Sequence, residues 1–233
     1  AIKNIPLFNV LNPTEQQFLS TASTVKELPK FSYLYLEQDS VSKVYFLLGG
    51  MVKVSTRSDQ GREAIKAILH NHEIFGEHGL TGQDVRDEFA IAMLDGAKVL
   101  EVDLDCLKSL MQKNYAFCQK IIKFLGDKLR EVEQRLEAQI FLNAKDRIID
   151  FIRDSACKRG QRVGYDHLLK RSLTQQEIAN YTGTSRQTVT EVFNDLKKSN
   201  LIYFNRNKIL IREGFNLSCE HDIDTLKNNK SSN

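Results

Sequence analysis

The chain has 233 residues, 41% hydrophobic and 27% charged, which suits a globular protein of one or two packed domains. Twelve Gly and three Pro exclude collagen-like and low-complexity classes, and no apolar run approaches the ~20 residues that cross a bilayer. The net charge of +3 hides an asymmetry, because residues 143–233 hold 16 basic and 11 acidic side chains while residues 1–142 hold 17 and 19. A basic C-terminal part on a slightly acidic N-terminal part hints at a nucleic-acid or membrane partner. No basic segment followed by an apolar stretch opens the chain, so no secretory signal is expected. Cys106, Cys118, Cys157 and Cys219 include no CxxC pair, and reduced thiols in a cytoplasmic protein are expected.

The first predicted element is a short helix capped by Asn12, with Pro13 at its first position and Phe18 and Leu19 as its apolar side. From Phe31 to Val102 the hydrophobic period is two. Strands are expected at 31–36, 44–48, 51–56, 63–69, 89–94 and 97–102, with turns at Gly49-Gly50, Asp59-Gln60-Gly61 and Asp95-Gly96. Many short strands without a long intervening helix predict an antiparallel sandwich or barrel.

Residues 104–113 predict a short helix, and Tyr115 to about Leu142 a long one. On it Cys118, Leu125 and Val132 share one heptad position, and Ile122, Leu129 and Leu136 share the other. Charged flanks beside a narrow apolar seam predict a coiled coil, most simply with a second copy of the chain. Helical packing within its own domain is the rival reading. Asn143 with Asp146 caps a further helix running to about Cys157, followed by a basic loop, Lys158-Arg159-Gly160-Gln161-Arg162. The rest is expected to be helical to Asn200. A hairpin then spans Leu201–Phe204, a turn at Asn205-Arg206-Asn207, and Ile209–Arg212, and a frayed polar tail begins at Asn216.

Residues 173–202 carry the functional signal. Thr174 and Glu177 form a capping box, Ile178 and Ala179 face inward, and Gly183 suits a turn that needs positive φ. Thr184 or Ser185 caps a second helix whose stripe is Val189, Val192 and Leu196. Arg186, Gln187, Thr190 and Glu191 are left at or near its exposed leading end. This is the pattern of a helix-turn-helix, whose second helix presents its N-terminal residues to base edges. Arg can donate two hydrogen bonds to guanine, and Gln can pair with adenine. Glu191 either accepts from a cytosine amine or is paired within its own helix. The following hairpin reads as a wing, with Arg206 and Lys208 offered to phosphates.

Gly183-Thr184-Ser185-Arg186-Gln187-Thr188-Val189 resembles the recognition-helix signature of the Crp–Fnr family of bacterial transcription regulators, usually Ser-Arg-Glu-Thr-Val at its centre. Ile74-Phe75-Gly76-Glu77-His78-Gly79-Leu80 is similar to that family's Phe-x-Gly-Glu-x-x-Leu phosphate-binding segment. The resemblance covers roughly residues 5–215. It implies an α+β fold: an N-terminal antiparallel β-roll (1–113), a long dimerisation helix (114–142) and a C-terminal winged helix-turn-helix (143–217), with a polar tail (218–233). It implies a homodimer that binds a pseudo-palindromic double-stranded DNA operator, with RNA polymerase as a further partner. Thr174, Gln175 and Ser185 then join Arg186, Gln187, Thr190, Glu191, Arg206 and Lys208 at the DNA.

Two departures bear on the effector. Where family members that bind cyclic AMP carry an Arg-Ser pair, Asp87-Glu88 stands here, and Arg86 can substitute only if the loop shifts by a residue. Two carboxylates repel a phosphate. Where those members contact adenine through Thr-Ser, this chain has Val132-Glu133. Gly76, Glu77, Arg86, Val132 and Glu133 remain the expected effector positions, for an unidentified small molecule. No cofactor is expected: cyclic AMP does not fit, and the N-terminal cysteine group of an iron–sulfur sensor is missing. The alternatives are an effector-independent regulator and a haem- or metal-linked sensor using His70, His72 or His78, of which 70 and 72 would share a face in a strand. Asp87 and Glu88, adjacent on a strand, would face opposite ways and make a poor catalytic dyad. No enzyme, metal or membrane role is expected.

Overall fold

The computed structural model describes residues 2, 5–170, 173–205, 208–215 and 217. The chain falls into two compact units, Ala1–Arg135 and Leu136–Asn233. No helix among the described residues is long and apolar enough to cross a membrane.

The first unit opens with a 3-10 turn over Pro6–Val10 and helix α1 (Pro13–Thr21). The Asn12 side chain accepts from Glu15 N, so Asn12 caps the helix as the sequence predicts, and the Glu15 carboxylate accepts from Asn12 N to complete a capping box. Leu19 is fully buried, whereas Phe18 is exposed, because neighbours on a helix point about 100° apart. Strands β1 (Ser23–Leu28), β2 (Tyr33–Tyr35), β3 (Lys43–Arg57), β4 (Glu63–Leu69), β5 (Ile74–Phe75) and β6 (Phe89–Asp103) follow. They form one antiparallel sheet in the order β1-β6-β3-β4, with β2 on β6 and β5 on β3. Helix α2 (Leu104–Lys113) and helix α3 (Tyr115–Phe141) come next.

Alternation along β3 separates two cores. Val44 and Phe46 face a cluster with Phe8, Leu19, Leu107, Phe117 and Ile121, while Tyr45 and Leu47 face one with Tyr35, Phe75 and Val99. Phe8 packs on Phe46 and Phe117 with ring centroids 4.8 and 6.2 Å apart, and each such buried ring contributes roughly 1.5–3 kcal/mol by leaving water.

The sheet corrects the turn assignments. Asp59-Gln60-Gly61 is a turn, with Gly61 N donating to Ser58 O at 2.8 Å. Gly49-Gly50 and Asp95-Gly96 are not: β3 and β6 run straight through them, with register shifts beside Gly49 and Gly50. Gly50 and Gly96 have φ of +81° and +71°, and a Cβ on Gly50 would lie 2.2 Å from the Gly96 carbonyl. The glycines let two strands approach through irregular pairing rather than end them. Strand β1 escapes sequence reading because its middle residues, Thr24, Val25, Lys26 and Glu27, are all exposed and show no alternation, as on an edge strand. Strand β5 is two residues long and shows no periodicity.

On α3 the side packed on the first unit carries Phe117 and Ile121. The predicted seam is a different stripe. Cys118 and Leu125 are partly covered, while Ile122, Leu129, Val132 and Leu136 are each about 60% exposed.

The second unit contains helix α4 (Ala144–Arg159), capped by Asn143 accepting from Asp146 N. Strands β7 (Gln161–Val163) and β8 (Asp166–Lys170), helices α5 (Gln175–Thr182) and α6 (Arg186–Lys198), and strands β9 (Ile202–Phe204) and β10 (Lys208–Ile211) complete it. The expected basic loop is therefore helix end plus strand, and residues 161–170 form a hairpin rather than helix. Gly164 at φ +64° makes the turn, and the strands on either side are too short to show alternation. The sheet order is β7-β8-β10-β9. Cys106 and Cys118 are free, but Cys157 is disulfide-bonded, which overturns the expectation of four reduced thiols. Spacing along a sequence says nothing of cysteines that a fold brings together. The tail expected to fray lies, apart from residue 217, outside the described residues.

Candidate nucleic-acid interface

Helix α5 begins at Thr174, whose hydroxyl accepts from Glu177 N at 3.1 Å while the Glu177 carboxylate accepts from Thr174 N at 2.8 Å. Ile178, Ala179 and Thr182 are its buried face. Gly183 ends it at φ +63°, and Thr184 N donates to Ala179 O at 3.0 Å. Ser185, not Thr184, caps α6, accepting from Thr188 N at 3.0 Å. Val189, Val192 and Leu196 are buried as predicted, and Phe193, which the stripe omits, is fully buried edge-on against Phe204 at 5.2 Å.

The leading end of α6 divides into held and free groups. Gln187 Nε2 donates to Glu191 Oε1 at 2.9 Å, so Glu191 is paired within its own helix. The Thr190 hydroxyl lies 2.9 Å from both Gln175 Oε1 and Arg186 O, tying α6 to the start of α5. Thr190 is thus partly covered rather than free. Among the described residues the Arg186 side chain makes no hydrogen bond and is exposed. A guanidinium beside an exposed amide–carboxylate pair can donate to a guanine edge or a phosphate.

Two residues that sequence reasoning missed hold the inter-helix turn. Arg147 Nε donates to Thr182 O at 2.9 Å and its terminal nitrogens to Gly183 O and Leu142 O at 3.2 and 2.7 Å. Gln139 Nε2 also donates to Thr182 O, at 3.1 Å. These long-range partners leave no sequence pattern. In the hairpin, Ile209 pairs with Phe204 and Ile211 with Ile202. Asn205 Oδ1 accepts from Lys208 N at 3.0 Å and the Lys208 side chain is exposed; Arg206 lies outside the described residues.

The β domain gathers a second set of groups. Gly76 stands at φ +68° against Arg86, whose NH1 is 2.7 Å from where a Cβ would sit. Arg86 is buried and turned inward, donating to Gly76 O at 2.9 Å and Lys43 O at 2.6 Å, with its guanidinium 4.3 Å over the Tyr35 ring. Asp87 and Glu88 stand just before β6, so strand alternation does not separate them. Lys66 Nζ reaches both carboxylates, at 3.3 and 3.2 Å, which corrects the expectation that they diverge. Tyr35 OH donates to the other Glu88 oxygen at 2.9 Å. Burial, then the Glu88 charge, holds the Tyr35 phenol well above its usual range. Burial alone would raise Asp87, but hydrogen bonds from Gln83 and the Lys66 charge keep it below the usual carboxylate value.

Glu77 is half-buried, whereas Val132 and Glu133 are exposed on α3. His70 and His72 follow β4 in a turn, with His72 at φ +72°, so they share no strand face. The Nδ1 of His78 lies 3.9 Å from Asp87. Tyr35 and Lys66, the partners of Glu88, were invisible to the sequence because β2, β4 and the β6 approach are distant along the chain.

Residues 25–114 match the cyclic nucleotide-binding domain family, and residues 146–217 match the Crp-like helix-turn-helix domain family. The anaerobic regulatory protein of Bacillus subtilis is 22% identical over 209 residues, covering 89% of this chain and 88% of that protein. The CRP-like cAMP-activated global transcriptional regulator of Mycobacterium tuberculosis is 23% identical over 212 residues, covering 91% and 94%. Among solved structures, FixK2 from Bradyrhizobium japonicum superposes with a TM-score of 0.74 at 19% identity, over 86% of this chain and 96% of that one.

Proposed function

Because the chain belongs to the Crp–Fnr family of DNA-binding transcription regulators, we propose that it works in the cytoplasm as a homodimer on a pseudo-palindromic operator, without catalysing a reaction. In this reading residues 1–113 sense, 114–142 dimerise and 143–217 bind DNA. The single observation that carries the DNA half is the free Arg186 beside the Gln187–Glu191 pair on a capped helix following a left-handed glycine turn. Arg186 and Gln187 read bases. Thr174, Gln175 and Ser185 at the helix starts, with Arg206 and Lys208 of the wing, set the register on phosphates. Thr190 and Glu191 orient their neighbours.

Dimerisation uses the stripe Cys118, Ile122, Leu125, Leu129, Val132 and Leu136, whose exposed members suit a matching stripe from a second copy. RNA polymerase is the further partner. The β domain shifts the population of DNA-competent arrangements through an effector that binds them unequally. Cyclic AMP is not that effector: Arg86 is committed to two backbone carbonyls, and Asp87 and Glu88 present negative charge.

Selection of bound sequences from random DNA tests the proposal. A palindromic consensus with half-sites about one helical turn apart is expected. Recovery of random sequence would refute it. Arg186→Ala should lower affinity for the selected site by about 1–3 kcal/mol and relax one base position. An equal loss on every sequence would make Arg186 a phosphate contact.

A further inference from the structure

In the β domain His78, Asp87 and Glu88 each offer one ligand atom, and these atoms all lie within 4.8 Å of one another. The three arrive by different routes: His78 on the 3-10 turn Glu77–Thr81, Asp87 and Glu88 on the approach to β6. Their environments differ in burial. The Glu88 carboxylate is buried and fixed through its second oxygen by Tyr35, while His78 and Asp87 remain open to solvent on the other side. Among the described residues Lys66 is the single ammonium reaching both carboxylates, so two carboxylate charges face one positive charge. A positive ligand is the species such a cluster recruits. The tyrosine donating to a ligating carboxylate is the kind of outer partner that orients metal ligands.

We propose that His78, Asp87 and Glu88 form a site for a first-row divalent metal ion, bound through one imidazole nitrogen and two carboxylate oxygens. One nitrogen and two hard oxygens, with room left for water, suit zinc or manganese. Bonds of about 2.0–2.2 Å draw the three donors together by roughly an ångström, within reach of the half-buried His78 and exposed Asp87 side chains. The incoming ion displaces the Lys66 ammonium, the weaker and removable counter-charge. Lys66 belongs to β4, and Arg135 of α3 donates to the backbone carbonyls of Lys66 and Ile65, the latter at 3.1 Å. Release of Lys66 therefore acts on the strand that the long helix grips. This names the effector class of the sensor domain and rests, for its regulatory meaning, on the reading above.

The test is calorimetry of chelator-stripped full-length protein with zinc chloride and manganese chloride, in the absence of DNA. One saturable site per chain is expected for at least one metal, weakened tenfold or more by His78→Ala and by Asp87→Asn. Asp87 is exposed and His78 only half-buried, so circular dichroism should show both variants folded. Lys66→Met, which removes the competing ammonium, should tighten binding several-fold. Absence of saturable binding, or equal affinity in His78→Ala and the parent, overturns the site. Unchanged or weaker affinity in Lys66→Met overturns the displacement. Because no DNA is present, either failure leaves the operator-binding proposal standing, and a failed DNA selection leaves the metal result standing.

Discussion

Arg86 and Arg186 carry the same guanidinium and meet opposite fates. Arg86 is closed in beneath Tyr35, and its terminal nitrogens end on the carbonyls of Gly76 and Lys43. Arg186 stands in solvent at the start of α6, where Gln187, Glu191, Thr190 and Gln175 satisfy one another and leave it out. Both lie close to a left-handed glycine turn, Gly76 in one unit and Gly183 in the other. Proximity to a characteristic turn thus does not make an arginine a ligand contact. What decides is whether the fold has already engaged the terminal nitrogens, as it has for Arg86.

That contrast gives substitutions with opposite readouts. Arg86→Met should destabilise the first unit by about 3 kcal/mol, since it strips charge-assisted bonds from two covered carbonyls; urea unfolding measures it. A change below ~0.5 kcal/mol, the ordinary range for a surface site, would mean that the arginine is free for an anion after all. Arg186→Ala should leave urea stability within ~0.5 kcal/mol while costing about 1–3 kcal/mol in operator affinity. A stability loss matching the affinity loss would erase the distinction. Thr174→Ala removes the cap of α5 and should cost about 1 kcal/mol in the second unit alone, visible as a shift of its unfolding transition. The smallest effect belongs to Glu191→Ala, which breaks the pair with Gln187 for about 0.2–0.5 kcal/mol of stability. Its sharper readout is base preference: freeing the Gln187 amide should change the base selected beside that read by Arg186.

Much of this was legible from residue order because the devices are local. Asn143 with Asp146 and Thr174 with Glu177 are contacts three residues apart that form as their spacing predicts, and Asn12 and Ser185 cap their helices through the backbone three residues on. The stripe Val189, Val192, Leu196 is likewise buried. The failures are contacts between distant residues. Gly49-Gly50 and Asp95-Gly96 look like hairpin turns until β3 and β6 are laid side by side. The convergence of Lys66 and Tyr35 on Glu88, and of Arg147 and Gln139 on the helix-turn-helix bend, depends on pairings 22 to 53 residues apart in the first case and 35 and 43 in the second. No period or spacing encodes them. Strand β8 was hidden for a different reason: five residues in which His167, Leu168 and Leu169 are all partly or fully covered read as helix as readily as strand.

Gly50 and Gly96 constrain drift in the two longest strands independently of each other. A side chain at 50 strikes the backbone of β6 at residue 96, and one at 96 would come within 2.7 Å of the Leu28 carbonyl on β1. Neither collision is relieved by any change at the other position, since what is struck is main chain in both cases. A library randomised at both codons and selected for folding should return glycine at each, whatever the other was offered.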